Sequence, residues 1–247
     1  IYNAFGSREM VIALAIRAYF EMFVSHVEFP DEAHSFQGAL ARQVTSTLRD
    51  VDIPHYMKAL VALYENGTSF KPLLVNLGEK ESREAFLKVW AIGKFPVLQD
   101  HARDEIVPES TTIIEYLDQH YPGPTHFIPY DKALALQARQ TDRLYDLYIH
   151  MEMQKVVGDR LRPADKKDPF GVEQARSGMR TAYGIMDRQM AGRTWATGES
   201  FTLADCAACP ALHYASLTEP FADTHRNLAG FGLWIHECLQ HAITPGG

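Results

Sequence analysis

The sequence predicts an α/β domain followed by an all-α domain, with a helical extension in front. Two observations carry this division. Strand and helix patterns alternate from residue 44 to about 124, whereas beyond Asp131 the strand patterns vanish and long helical periodicities take over. Between the two regimes stands Tyr121-Pro122-Gly123-Pro124, a run that stops a helix and cannot continue a strand. The expected organisation is therefore 1–43, a helical extension of unknown role, then 44–124, α/β, then 125–247, all-α. With 46% hydrophobic and 22% charged residues, the chain suits a well-cored globular protein and not a disordered or fibrous one.

The elements follow in order. Residues 1–43 read as one long helix ending near Phe29-Pro30-Asp31 and a second short one. Met10–Val24 is the most apolar stretch, but Arg17 and Glu21 interrupt it one helical turn apart, so a buried helix is expected and not a membrane span. Val44-Thr45-Ser46-Thr47-Leu48 reads as a short strand. Pro54–Asn66 is helical, with Leu60, Leu63 and Tyr64 on one face and Gly67 placed to cap its end. Phe70–Leu77 reads as a strand and Ser82–Val89 as a helix. Phe95–Gln99 and Glu105–Val107 flank the charged turn 101–104 as a hairpin, and Thr111–His120 is a helix. Four helices follow: Ala133–Gly158, Gly171–Met190, Leu203–Leu217 and Leu228–Leu239.

Charge and cysteine content narrow the function classes. The net charge is -7 and no Lys/Arg cluster stands out, which argues against nucleic acid as a partner. Three cysteines, Cys206, Cys209 and Cys238, are too few for a disulfide framework. With no secretory signal of the usual form, a reducing, cytoplasmic setting is expected. Cys206, Cys209 and His213 fall at i, i+3 and i+7 of one helix, but no fourth ligand is in view. They are read as core residues, and no metal is expected.

The chemistry concentrates between Gly93 and Asp118. A proline at the start of a strand belongs at an edge or a turn. If Phe95–Pro96 is cis, the chain turns sharply and an extended peptide can add to the Phe95 edge through backbone hydrogen bonds. From these residues alone, an ordinary trans proline opening an edge strand is the plainer reading. Val107-Pro108-Glu109-Ser110 is a strand end that runs straight into a helix start. The first N–H groups of that helix suit a carboxylate, Ser110 adds a hydroxyl, and Glu109 can receive an ammonium. Taken alone, Ser110 as a cap and Glu109 favoured by the dipole explain the pair equally.

The stretch Ile92-Gly93-Lys94-Phe95-Pro96-Val97-Leu98, followed by Val107-Pro108-Glu109-Ser110 and Ile113-Ile114-Glu115-Tyr116-Leu117, resembles the glutathione site of cytosolic glutathione transferases. Far downstream, Phe201-Thr202-Leu203-Ala204-Asp205 resembles the N-capping box of the family's helical core, in which Asp205 is structural. The resemblance covers about residues 54–242. It implies a thioredoxin-like N-terminal domain, an all-helical C-terminal domain and a homodimer. It further implies that Lys94 meets the glycine end of glutathione, that Phe95 and Pro96 present its cysteinyl backbone edge, and that Glu109 and Ser110 hold the γ-glutamyl end. The second, apolar substrate pocket would draw on Tyr145, Tyr148 and Met151, for which interhelical or dimer contacts are an equal alternative.

The same resemblance implies a glutathione transferase, joining glutathione as co-substrate to an electrophilic apolar small molecule. The family's activating hydroxyl or thiol sits at the start of the first helix of the α/β domain. Ile53-Pro54-His55-Tyr56 resembles that start, yet isoleucine stands where many members have serine, and it cannot donate a hydrogen bond. Tyr56 is the nearest phenol and is taken as the catalytic candidate. His55, Thr45, Ser46 and Thr47 are further possibilities, while Asp50 and Asp52 would oppose a thiolate. Alternatives are a non-catalytic binder of the same fold, a glutathione-dependent isomerase, reductase or lyase, and a purely structural dimerisation domain.

Overall fold

A computed structural model describes residues 10–14 and 53–231. The chain divides into two compact units. One comprises 10–14, 53–56 and Phe70–Glu109; the other comprises Met57–Ser69 and 110–231.

In the first unit, β1 (Met10–Leu14), β2 (Lys71–Leu74), β3 (Val97–Asp100) and β4 (Glu105–Pro108) form one sheet in the order β2-β1-β3-β4. The strand β1 runs parallel to β2, with Ile12 opposite Pro72, and antiparallel to β3, with Ile12 opposite Leu98. The hairpin β3–β4 places Leu98 opposite Val107. Both edge strands contain a proline, Pro72 and Pro108, a residue that suits edges because it has no N–H to give a ladder. The helix α1 (Ile53–Glu65) precedes β2, and α2 (Lys80–Val89) follows it. A mixed sheet of this order, with a closing hairpin, is the thioredoxin-like arrangement expected. Its core includes Phe86, Phe95, Val97 and Leu98, and the rings of Phe86 and Phe95 stack at 4.4 Å.

One expectation is overturned here. Met10–Leu14 is not part of a helix; it is an inner strand of the sheet. Met-Val-Ile-Ala-Leu is a short unbroken apolar run, which periodicity alone cannot tell from a piece of helix. The strand expected at Val44–Leu48 lies outside the described residues, as does the rest of 15–52. Leu73 is half-exposed and β2 is shorter than the Phe70–Leu77 run suggested.

The second unit is helical. From Met57 onward α1 buries Met57, Ala59, Ala62 and Leu63, while Tyr64, expected on that face, is half-exposed. Gly67 ends the helix with φ 58°, a left-handed conformation that glycine adopts without strain. The helix α3 (Ser110–His120) buries Ile113, Ile114 and Leu117. Asp118 accepts from the N–H of Phe127 at 2.8 Å, and the Phe127 carbonyl accepts from Leu203 at 2.9 Å, which ties the connecting stretch down.

The single helix expected over Ala133–Gly158 is interrupted. It consists of α4 (Lys132–Leu144), a π-helical turn Tyr145–His150 and α5 (Met151–Leu161). Asp131 caps its start by accepting from Ala133 and Leu134, each at 2.9 Å. The helix α6 (Pro169–Met190) packs on α5. The helix α7 (Leu203–Ser216) buries 12 of its 14 residues, many of them alanine or cysteine, and lies against α4 and the π turn. A helix buried on every side belongs at the centre of its unit. Residues 226–231, the last described, are helical; the remainder of the helix expected over Leu228–Leu239 lies outside the described residues. Among the described residues, no helix is long and apolar enough to cross a membrane.

Candidate functional site

The loop before β3 takes the less common of the two conformations left open by the sequence: the Phe95–Pro96 bond is cis. Gly93 enters the loop at φ 71°, and Leu87 lies 3.1 Å from where a Cβ on Gly93 would stand. The Phe95 ring is buried on Phe86, Pro96 is buried, and Lys94 is exposed. After β4, Glu109 is exposed and has φ 70°. Left-handed backbone is uncommon for a residue with a Cβ and costs free energy that the surroundings must offset. Glu109 belongs to the α/β unit, whereas Ser110 opens α3 in the helical unit and is 3% exposed.

The remaining candidates scatter by burial. Tyr56, in the first turn of α1, is only 3% exposed. Tyr145 is buried, and burial together with the nearby charge of Asp205 holds its phenol well above the ordinary range. Tyr148 and Met151 are about half-exposed. The π turn thus sends Tyr145 inward with Asp146, Ile149 and His150, and leaves Leu147 and Tyr148 outward.

A charged cluster that sequence reasoning missed lies inside the helical unit. The Lys58 ammonium donates to Thr111 Oγ1 at 2.7 Å and Asp146 Oδ2 at 2.8 Å, and it pairs with Asp142. Its three N–H groups therefore have three partners. Arg143 donates from Nη2 to Thr111 Oγ1 at 2.7 Å and from Nε to Asp142 Oδ2 at 3.0 Å, and it also pairs with Asp146. The Thr111 hydroxyl in turn donates to Asp142 Oδ2 at 3.1 Å. Lys58 and Asp142 are almost completely buried, and Arg143 reaches solvent. A signal was present in the sequence: Asp142 and Asp146 share the helical face of Ala135, Ala138 and Tyr145, where acids are out of place unless paired.

At α7 the capping box is present. Asp205 accepts from the N–H of Thr202 at 2.9 Å and of Ala196 at 2.7 Å, while the Thr202 side chain takes N–H groups of the first turn. Burial raises the Asp205 carboxyl to about 6 in spite of these bonds. Cys206 and Cys209 are buried thiols outside any disulfide, and desolvation pushes Cys206 upward, away from reactivity. Among the described residues, no group of three or more His, Cys, Asp or Glu is placed to hold a metal ion.

Comparison with known proteins gives a consistent family. The sequence model described as glutathione S-transferase, N-terminal domain, matches residues 50–125, and the one described as glutathione S-transferase, C-terminal domain, matches 169–231. A glutathione S-transferase from Hypomyces subiculosus, hmp2, is 24% identical over 186 residues, covering 70% of this chain and 87% of that one. The glutathione S-transferase-like protein LUC7 from Fusarium is 27% identical over 150 residues, covering 60% and 67%. Among solved structures, a glutathione S-transferase from Methylobacillus flagellatus with glutathione bound superimposes with a TM-score of 0.72 at 22% identity, over 95% of this chain and 98% of that one. The glutathione transferase URE2P8 from Phanerochaete chrysosporium, with oxidized glutathione, gives the same TM-score at 15% identity, over 97% and 95%. At such identities the structural likeness establishes the fold: a thioredoxin-like domain followed by a helical one.

Proposed function

The chain belongs to the glutathione transferase superfamily, and from that premise we propose that it binds glutathione and transfers its thiolate to an electrophilic, apolar small molecule. The observation that supports this reading most is the hairpin register: Val97 stands opposite Pro108, so Lys94-Phe95-Pro96, just before β3, and Glu109-Ser110, just after β4, lie at the same end of the hairpin, where an edge can take an added peptide backbone. In the proposed site Phe95 and Pro96 present that backbone edge, Lys94 takes the glycine carboxylate, and Glu109 and Ser110 take the γ-glutamyl ammonium and carboxylate. Tyr148 and Met151, both half-exposed, are proposed to face the apolar substrate, with Tyr145 supporting them from inside.

In the reaction, the glutathione sulfur loses its proton and forms a bond to the electrophilic carbon. The leaving group departs with the old bonding pair, or an opened ring or double bond takes that pair and is protonated. An ordinary thiol has a pKa of about 8.5, so the thiolate needs help at neutral pH. We assign that help to the Tyr56 phenol, a hydrogen-bond donor in the first turn of α1. Bringing the two reactants together supplies the rest of the acceleration. We further propose a homodimer and a cytoplasmic setting; Cys206 and Cys209, reduced and outside any disulfide, suit a reducing compartment.

A second reading, a glutathione binder without transferase chemistry, is favoured by two observations: α1 opens with Ile53, which has no donor, and Tyr56 is 3% exposed. Calorimetry with glutathione and a conjugation assay with an aryl halide separate the two. Binding that is lost in Glu109→Ala, with turnover that falls in Tyr56→Phe, supports the enzyme. Binding without turnover, and without thiolate absorbance below pH 8, supports the binder; no binding at millimolar glutathione removes both.

A further inference from the structure

We propose that Thr111 is a positioning residue: through its hydroxyl, the buried charges of Lys58, Asp142 and Asp146 fix the first turn of α3, and with it the neighbouring Ser110. The inference rests on the reading of Ser110 as a ligand of the γ-glutamyl end of glutathione.

The Thr111 hydroxyl has one proton to give and two lone pairs to receive, and all three are used. It accepts from Lys58 at 2.7 Å and from Arg143 at 2.7 Å, and donates to Asp142 at 3.1 Å. Lys58 likewise spends its three N–H groups on Thr111, Asp146 and Asp142. Neither node has a bond to spare. Lys58 and Asp142 are nearly inaccessible, so a bond broken on their side is poorly replaced by water, and bonds to charged groups in such a place are the strong ones.

Most helix starts are held by a capping side chain near the surface, and the first turn frays easily. The start of α3 is instead held from α1 by Lys58 and from the α4–π junction by Asp142, Arg143 and Asp146. Ser110 is bonded directly to Thr111 in the chain, with Cα atoms about 3.8 Å apart. A rotation or slip of the first turn that moves Ser110 must also move Thr111 out of the cluster. The cluster therefore acts on the ligand by pre-organising the Ser110 hydroxyl, which lowers the ordering cost on binding.

The test is a double-mutant cycle read by calorimetry with glutathione on the full chain: wild type, Ser110→Ala, Thr111→Val and the double variant. Valine keeps the shape and β-branching of threonine and removes only the hydroxyl. Thr111→Val is expected to weaken glutathione about tenfold and Thr111→Ser to restore it to within about twofold. The double variant is expected to bind no more weakly than Ser110→Ala alone, because Thr111 acts through Ser110. A merely structural role would lower thermal stability without this coupling. Full affinity in Thr111→Val, or losses that add in the double variant, overturns the positioning role. If the wild type itself binds no glutathione, the functional reading fails first. If Ser110→Ala loses binding while Thr111→Val keeps it, only the positioning role fails. Should Thr111→Val not fold, Arg143→Gln removes one of the two donors to Thr111 from the solvent side and runs the same cycle, with an expected loss of about threefold.

Discussion

Asn66 and Thr125 hold each other by two hydrogen bonds, 59 residues apart in the chain. The Asn66 amide donates to the Thr125 carbonyl at 2.9 Å and accepts from the Thr125 N–H at 2.9 Å. Gly123 makes room for the pair: a Cβ at that position would stand 2.6 Å from Asn66 Cβ. Asn66→Ala and Gly123→Ala are each expected to cost about 1–3 kcal/mol of stability, one by orphaning the backbone groups and the other by collision. Urea titration of the two variants checks this. A double variant no worse than the worse single would show that both act on one contact.

Removing one member of the buried cluster leaves the others uncompensated. Lys58→Met deletes the ammonium between Asp142 and Asp146 and is expected to cost about 3–5 kcal/mol. Chemical denaturation measures it. A change below about 1 kcal/mol would mean that water or Arg143 neutralises both carboxylates in the folded chain.

Asp205 gives a pH dependence with a definite sign. Its carboxyl is raised to about 6 by burial, against an ordinary 3.8. Between those values the folded chain holds a proton that the unfolded chain has lost. The contribution of Asp205 to stability is thus fullest at low pH and falls as pH rises through that window. Asp205→Asn removes the titration, so the stability gap between wild type and variant should widen by about 2 kcal/mol from pH 7 to pH 4.5. A gap that is flat with pH would show that the N–H groups of Ala196 and Thr202 keep the carboxylate ionised.

Glu109 sets stability against function. Its φ of 70° is strained for glutamate and free for glycine. Glu109→Gly is therefore expected to leave stability within about 1 kcal/mol of the wild type. The same variant is expected to weaken glutathione about tenfold by losing the partner of the γ-glutamyl ammonium. Thermal unfolding and calorimetry on one preparation read both effects; unchanged affinity would remove Glu109 from the proposed site.

Much of this was legible in the sequence where local chemistry decides the outcome. The helix around Leu60 and Leu63, the hairpin either side of the 101–104 turn and the Thr202–Asp205 box are all set by patterns a few residues long. What was hidden depends on partners distant in the chain. Met10–Leu14 is apolar throughout, and only its pairing with Lys71–Leu74 and Val97–Asp100 makes it a strand. The π turn at Tyr145–His150 carries no composition of its own and interrupts an otherwise helical pattern. Lys58 looks like a surface lysine until Asp142 and Asp146 arrive from 84 and 88 residues away to surround it. The cis geometry at Phe95–Pro96 was one of two readings, and the residues alone leaned to the other.

The place of β1 has a practical consequence for anyone dissecting this chain. The match to the N-terminal domain model begins at residue 50, yet among the described residues Lys71–Leu74 pairs in the sheet with Met10–Leu14 alone, which also joins it to the hairpin. A fragment cut at the boundary of the recognised domain would keep the helices and the hairpin and lose the splice that makes them one sheet. Expression from residue 50 onward should give an aggregating product, whereas the full chain, which keeps Met10–Leu14, should stay soluble.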